Sequence, residues 1–521
     1  MKPTGQPRPA RRNARIVALV AGLAAAAVAL SGCLQAIIPD SRPRSTASPT
    51  PDAKGVAAQL LPFYDQTLSW TACGDFDCTM VTAPLDWANP TGGDIQLSVI
   101  RQRAVSGTAI GSLLTNPGGP GVSGVKLIRE SVDFAVGEPL QQQFDVIGFD
   151  PRGVAESTSV RCHDAAEMDA FLFDIAEAPR GSDGWIQERT DSNQAFADAC
   201  DANSGGILPF ITTENAARDM DLLRAVLGDT ELHYLGYSYG THLGATYAEL
   251  YPERVGGLVL DGAVDPTVSL GRSNAIQGLG FESALRAYMA DCMTTSECPF
   301  SGTVDEALTD LGTILASVEQ SPLRGSDGRL LGADSLQTAI IAALYAEESW
   351  PGLTAALADV LQGDPGIAFQ LADFYLRRAG GEYTANVWEA FWAYNCMDQP
   401  RDATAEERAA DEALVAAEAP TVAPYWFTPT PCEVWPYPAT GTNDPIAAEG
   451  SAPIVVVGST NDPATPYEWA VSLADQLASG VLITRVGEGH TGYNKGNACV
   501  DAAVEAYLLQ GIVPEDGLRC E

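Results

Sequence analysis

The chain has 521 residues, 46% of them apolar, and carries 67 acidic against 30 basic side chains for a formal charge of −37. That length suggests two or three domain-sized units. The acidity excludes nucleic acid and anionic lipid surfaces as partners, because like charges repel.

The first 32 residues hold Lys2, Arg8, Arg11, Arg12 and Arg15 but no acid, followed by the apolar run from Ile16 to Leu30. Fifteen apolar residues are short for a bilayer span and suit the core of an export signal. The run closes in Leu30-Ser31-Gly32-Cys33, which resembles a bacterial lipobox. Cleavage before Cys33 would leave that cysteine lipidated and the protein anchored on the outer face of the membrane or released from it. An unlipidated signal is the other reading, and Arg11-Arg12 lacks the hydrophobic consensus of twin-arginine export. Without the signal, 25 basic residues face 67 acidic ones and the formal charge becomes −42. Residues 33–57, rich in Pro, Ser and Thr over 39–55, cannot bury a core and read as a tether.

Beyond the tether, GSLLTN (111–116) and FDVIGFD (144–150) are short apolar runs followed by turn residues. Glu231–Leu235 leads into GYSYG, and THLGATYAELYPERV begins a helix that Pro252 should stop. GGLVLDG (256–262) and APIVVVGS (452–459) repeat the strand pattern. Continuous apolar strands alternating with helices predict an α/β fold, a mostly parallel sheet covered on both faces. Nearly 190 residues without a clear strand, including TVDEALTDLGTILASVEQ and EERAADEALVAAEA, separate the last two runs. The chain must return to finish the sheet, so this stretch predicts a helical lid over 266–445, inserted between core segments 58–265 and 446–521. An independent helical domain is the alternative.

Setting Cys33 aside leaves ten cysteines, and in an exported chain an even number suggests disulfides. Neighbours in sequence suggest Cys73–Cys78, Cys162–Cys200, Cys292–Cys298, Cys396–Cys432 and Cys499–Cys520, a pairing that spacing does not by itself determine. With no C-x-x-C and four scattered histidines, zinc is not expected, and no cofactor is.

Within GYSYG, Ser238 occupies the G-x-S-x-G elbow, where a hydroxyl stands exposed between a strand and a helix. A small residue filling a turn is the bland reading. A nucleophile needs a base, and in this arrangement the acid and histidine follow the serine. His163 and His233 precede it and His242 lies one turn along the helix, which leaves His490 in GEGHTGY. Asp462, behind APIVVVGS, is the expected acid; Asp261, behind GGLVL, is the alternative, and helix capping is the other role open to Asp462. An oxyanion hole would use the amides of Tyr239 and of a glycine in NPGGPG, Gly119 first and Gly118 second. Gly119, Gly121 and Gly124 also fit G-x-G-x-x-G with Asp145 or Asp150 as ribose ligand. Pro120 removes a donor there, and an exported protein meets no nucleotide pool, so dinucleotide binding is set aside.

Taken together, NPGGPG, FDPRG (149–153), ENAARDMDLLRAVLG (214–228), LGYSYGTHLGATYAELYPERV, LVLDGAVDP, AYNCMDQP (393–400) and GSTNDPATP resemble the exported tripeptidyl aminopeptidase-type α/β hydrolases, relatives of prolyl iminopeptidase. The resemblance runs from about residue 60 to the C-terminus. It implies an α/β-hydrolase fold, the triad Ser238, Asp462 and His490, and release of short peptides, typically tripeptides, from free N-termini. Pro117 stands where prolyl iminopeptidases usually have His, which suits the tripeptidyl branch. An aminopeptidase must hold the substrate ammonium with a negative group. Glu389 and Asp398 are the candidates, and Glu282 less so. Trp388, Phe391, Trp392 and Tyr394 fit a peptide groove, although such a stripe is more often core. A carboxylesterase or lipase would use the same triad, and a non-catalytic binding protein could use the same scaffold.

Overall fold

Residues 50–401 and 403–521 are described in the computed structural model. The export signal, Cys33 and most of the tether lie outside the described residues. Ten strands form one sheet: β1 (Thr71–Cys73), β2 (Phe76–Pro84), β3 (Asp94–Gln102), β4 (Ser112–Asn116), β5 (Asp145–Phe149), β6 (Leu232–Tyr237), β7 (Val255–Asp261), β8 (Ile454–Asn461), β9 (Gly480–Glu488) and β10 (Leu518–Cys520). Their order is β1-β2-β3-β5-β4-β6-β7-β8-β9-β10. From β5 to β10 every neighbour is parallel, and β1 to β3 add an antiparallel edge. All five residues of β4 and the first six of β8 are buried, as strands covered on both faces must be.

The antiparallel edge carries no continuous apolar run. In β2 and β3, Thr79, Thr82, Gln96 and Ser98 interrupt the apolar residues, and the sheet pairs these strands over eight positions from Asp77–Arg101 to Pro84–Asp94. Half-buried strands alternate in this way, which is why apolar runs alone do not reveal them.

Helices α1 (Gly124–Ala135), α2 (Thr213–Val226) and α3 (Tyr239–Leu250) flank the sheet, and a 3-10 turn over Pro252–Arg254 follows α3 where Pro252 predicts its end. Seven helices follow β7: α4 (Leu270–Cys292), α5 (Val304–Gln320), α6 (Ala333–Leu344), α7 (Trp350–Val360), α8 (Gly366–Leu376), α9 (Val387–Asp398) and α10 (Ala405–Glu418). Two minimal ladders, Leu323–Arg324 with Leu330–Leu331 and Arg378–Ala379 with Glu382–Tyr383, are the only strands among the described residues of this stretch. Most of these helices pack around a core of their own that includes Phe281, Leu311, Leu336, Leu353 and Phe369. Helix α9 departs from this. Its Ala390, Ala393, Tyr394 and Met397 are buried in the main core with Tyr239 and Leu243, so Tyr394 is a core residue whereas Trp388 and Trp392 are only partly buried.

All five disulfides suggested by sequence neighbours form, which fits an exported protein. Among the described residues no helix is long and apolar enough to cross a membrane.

A buried ion pair joins two of the sequence motifs. Arg152 of FDPRG meets both oxygens of Asp219 of ENAARDMD at 2.7 Å. It also donates to the carbonyls of Pro84 and Leu85, and Trp87 Nε1 donates to Asp219 at 3.0 Å. Both charged side chains are out of solvent, so loss of one strands the other. Asp219→Ala should therefore lower unfolding free energy by about 3–5 kcal/mol in a guanidinium titration.

Candidate active site

The carboxyl ends of five strands bring the expected residues to one edge of the sheet. The NPGGPG loop leaves β4, Ser238 follows β6, Asp261 ends β7, Asp462 follows β8, and His490 lies just past β9. Strand β4 has β5 on one side and β6 on the other, so chain direction across the sheet reverses between the glycine loop and the serine. Crevices at such reversals are where open α/β sheets bind ligands.

Ser238 is held at φ 55°, ψ −125°, a backbone region that side-chain-bearing residues rarely enter. Crowding by its neighbours requires glycine on either side. A Cβ at Gly236 would strike the Gly240 carbonyl and the Tyr234 ring, and one at Gly240 would lie 2.9 Å from the Asn116 carbonyl. The Ser238 N–H donates to the Asp261 carbonyl at 2.9 Å, and its carbonyl accepts from the Thr241 amide and hydroxyl at 2.8 and 2.6 Å. The hydroxyl thus stands at the N-terminus of α3, where unpaired amides favour negative charge.

The glycine loop packs directly on this elbow. Gly118 has φ 92°, and a Cβ there would lie 2.5 Å from the Tyr237 carbonyl and 2.8 Å from Ser238 Cβ. Its N–H donates to Asn116 Oδ1 at 2.9 Å. Gly121 abuts Val387 and Phe391 of α9. Asp150, which a dinucleotide reading would place on a ribose, instead accepts from Ser123 Oγ and from the Val125 and Glu156 amides.

His490 Nδ1 lies 2.9 Å from both oxygens of Asp462, with Thr465 Oγ1 at 3.2 Å. Asp462 is buried, and the amides of Ala464 and Thr465 at 2.9 Å and the Thr465 hydroxyl at 3.0 Å hold it in place. The His490 N–H donates to the Tyr345 carbonyl at 2.9 Å, while His490 Nε2 is buried with no hydrogen-bond partner among the described residues. Burial alone would push the imidazole down. The charge and hydrogen bond of Asp462, with Asp261 behind them, outweigh burial and hold it above the ordinary histidine range.

Asp261, the alternative acid, meets the backbone and not the imidazole. Its carboxylate accepts from the Gly492 and Tyr493 amides, each at 2.8 Å, and burial pushes its carboxyl up to about 6. One residue therefore ties the elbow, through its carbonyl, to the histidine loop, through its side chain. The other histidines lie elsewhere: His233 packs on Phe144, His163 on Phe196, and His242 is half-buried on α3 and driven down to about 4 by desolvation. Sequence order points to Asp261 only as a rival acid, and nothing in it signals the Tyr345 contact or the Asn116 side chain under Gly118.

The three acids considered for a substrate ammonium are all buried. Asp398 has both oxygens on the Thr213 amide and hydroxyl, and Thr213 Oγ1 in turn lies 2.6 Å from the Tyr239 hydroxyl. Glu282 holds the Thr421 amide and hydroxyl inside the helical insertion. Glu389 accepts from the Cys162 amide at 3.0 Å and lines a cavity with Lys126, His163 and Asn386. Desolvation pushes both Glu389 and Asp398 up to about 7.

Residues 111–311 match the family described as alpha/beta hydrolase fold, and residues 419–520 match that described as TAP-like protein. The chain is 34% identical to Serine protease Hip1 of Mycobacterium tuberculosis, covering 97% of this chain and 98% of that one. It is 30% identical to Tripeptidyl aminopeptidase of Streptomyces lividans, over 88% and 86%. This chain belongs to the tripeptidyl aminopeptidase-type α/β hydrolases. It is a serine-hydrolase peptidase of that family. Within the same range of similarity, Carboxylesterase B of M. tuberculosis is 36% identical over 96% of each chain.

In this family member the packing of Gly118 on the elbow leaves no room for a methyl group. Gly118→Ala should shift the loop against Ser238 and lower kcat/KM by roughly two orders of magnitude, the scale of a misplacement of about 1 Å, as read in peptide turnover.

Proposed function

We propose that the protein is a serine exopeptidase that releases short peptides, tripeptides above all, from free N-termini. Ser238 is the nucleophile, His490 the general base and Asp462 its orienting acid. The observation that carries this reading is the His490–Asp462 pair at 2.9 Å, hung from the same residue, Asp261, that fixes the Ser238 elbow. Asp462 on Nδ1 sets the tautomer that leaves Nε2 to take the serine proton. The serine oxygen then attacks the scissile carbonyl, and the Gly119 and Tyr239 amides hold the oxyanion. His490 returns the proton to the departing amine, and water repeats the sequence on the acyl-enzyme.

The helices over 266–445 act as a lid, which reaches the site through the Tyr345 carbonyl on the His490 N–H and through α9 on Gly121. For the substrate ammonium, Asp398 already has both oxygens engaged, so Glu389 is the favoured anchor. Lipidation of Cys33 would hold the enzyme on the outer face of the membrane, with signal 1–32 removed and 33–57 as tether.

The relationship to Carboxylesterase B supports a second reading, in which the same three residues cleave esters. Peptides with free N-termini and their N-acetylated twins decide between them. Mass spectrometry should find tripeptides released only from the unblocked set, and none with Ser238→Ala. Ester cleavage with no peptide product in either set would favour the esterase.

Asp462→Asn should lower kcat by about 10⁴-fold, as loss of the orienting acid does in Ser-His-Asp enzymes generally. The imidazole must be neutral to accept a proton, so fluorophosphonate labelling of Ser238 should rise with pH through a midpoint above about 6.5. A midpoint below that value would contradict the coupling of His490 to Asp462.

A further inference from the structure

A cavity of about 300 Å³, at the lower end for ligand sites, lies where the helical insertion meets residues 171–193. Its aromatic walls include Tyr375, Trp388, Trp392 and Trp426. Two chains of ring contacts lead to it from His490. The His490 ring meets Tyr345 at 5.3 Å, Tyr345 meets Tyr375 at 5.8 Å, and Tyr375 meets Trp388 at 5.6 Å. By the other branch, Tyr345 meets Phe281 at 6.0 Å and Phe281 meets Trp426 at 5.6 Å. The rim at Tyr375 is thus two ring contacts from the base, within the span of an extended tripeptide at about 3.3–3.6 Å per residue.

Four buried polar atoms on this lining have no hydrogen-bond partner among the described residues: Arg180 Nη1, Arg189 Nε, Trp388 Nε1 and Gln337 Oε1. Gln337 is only 6% exposed. Buried polar groups are normally paired, so four unpaired ones on one lining point to a ligand that pairs them. The charge of Arg180 is already balanced by Glu319 and Asp334, with contacts of 2.8–3.4 Å. Its remaining N–H therefore suits a neutral carbonyl and not a further carboxylate. Three donors and one acceptor among aromatic rings match the C=O and N–H groups of a peptide backbone beside a large apolar side chain.

We infer that this cavity is the specificity subsite for the acyl side of the substrate, taking a large apolar or aromatic side chain from the second or third residue before the scissile bond. The inference rests on the peptidase reading of the site, and the two can fail separately.

The test uses the full-length protein and unblocked peptides Xaa-Ala-Ala and Ala-Xaa-Ala extended by a reporter amine, with Xaa as Ala, Leu, Phe or Asp. At one of the two positions kcat/KM should favour Phe or Leu over Ala and Asp by tenfold or more. Trp388→Ala should reduce that ratio to below about threefold, whereas Trp388→Phe, which keeps an aromatic wall, should retain it. An equal rate for all four residues, or a preference that survives Trp388→Ala, overturns the proposal.

Calorimetry on Ser238→Ala reads the cavity without turnover. Phe-containing tripeptides should bind at least tenfold more tightly than Ala-Ala-Ala, with the difference lost when Trp388→Ala is added. Equal binding overturns the subsite. Selective binding in the absence of any peptide cleavage by the unsubstituted enzyme would retain the subsite and remove the peptidase reading.

Discussion

The whole site depends on one strained turn. Ser238 is at φ 55°, ψ −125°, a conformation that costs on the order of 1–3 kcal/mol and persists only where its surroundings overdetermine it. Asp261 grips its amide, Thr241 grips its carbonyl, and Gly118 closes over it so tightly that no side chain fits. The strain places a hydroxyl at the N-terminus of α3, beside amides that no helical carbonyl satisfies. A relaxed turn at the same sequence position would bury that hydroxyl or aim it along the sheet.

Asp261 extends this constraint to the histidine. With its carbonyl on Ser238 and its carboxylate on Gly492 and Tyr493, it makes the spacing of elbow and imidazole a property of one residue at a strand end. Asp462 then sets the imidazole's orientation, and Tyr345 holds its backbone from the insertion side. The two acids divide the work by environment. One meets a ring nitrogen and the other meets amides, although both follow strands that are neighbours in the sheet.

The same economy of contacts explains why sequence motifs far apart in the chain come together. FDPRG and ENAARDMD are some 65 residues apart, yet Arg152 and Asp219 form one buried pair that also holds the carbonyls at the end of β2. AYNCMDQP supplies Tyr394, whose hydroxyl donates to the Arg152 carbonyl, and Asp398, which anchors the first turn of α2. These residues brace the region around the nucleophile by a chain from Asp398 through Thr213 to the Tyr239 hydroxyl. In sequence, a buried acid that supports a site, as Asp398 does through Thr213, resembles one that binds a ligand.

Much of this was legible in the chain itself, because the features concerned are local. Apolar runs with turn residues behind them mark the central parallel strands, glycines flanking a serine mark the elbow, and proline at 252 marks the end of its helix. With four histidines, and three of them before or on the wrong face of the elbow, chain order also narrows the base to His490. The antiparallel edge was not legible, since half-buried strands mix polar and apolar residues and leave no continuous run. Chain order favoured Asp462 over Asp261 but left the choice between them open. Both are aspartates behind apolar strands, and only the path of the loop after β9 decides which carboxylate meets a ring and which meets amides. Disposition of the aromatic residues on α9 was likewise decided by packing: the turns of one helix show the same residue types whether they face the core, as Tyr394 does, or a cavity, as Trp388 does. Local pattern is written in neighbouring residues, whereas which partner a side chain meets across some 30 to 250 positions exists only once the sheet has closed.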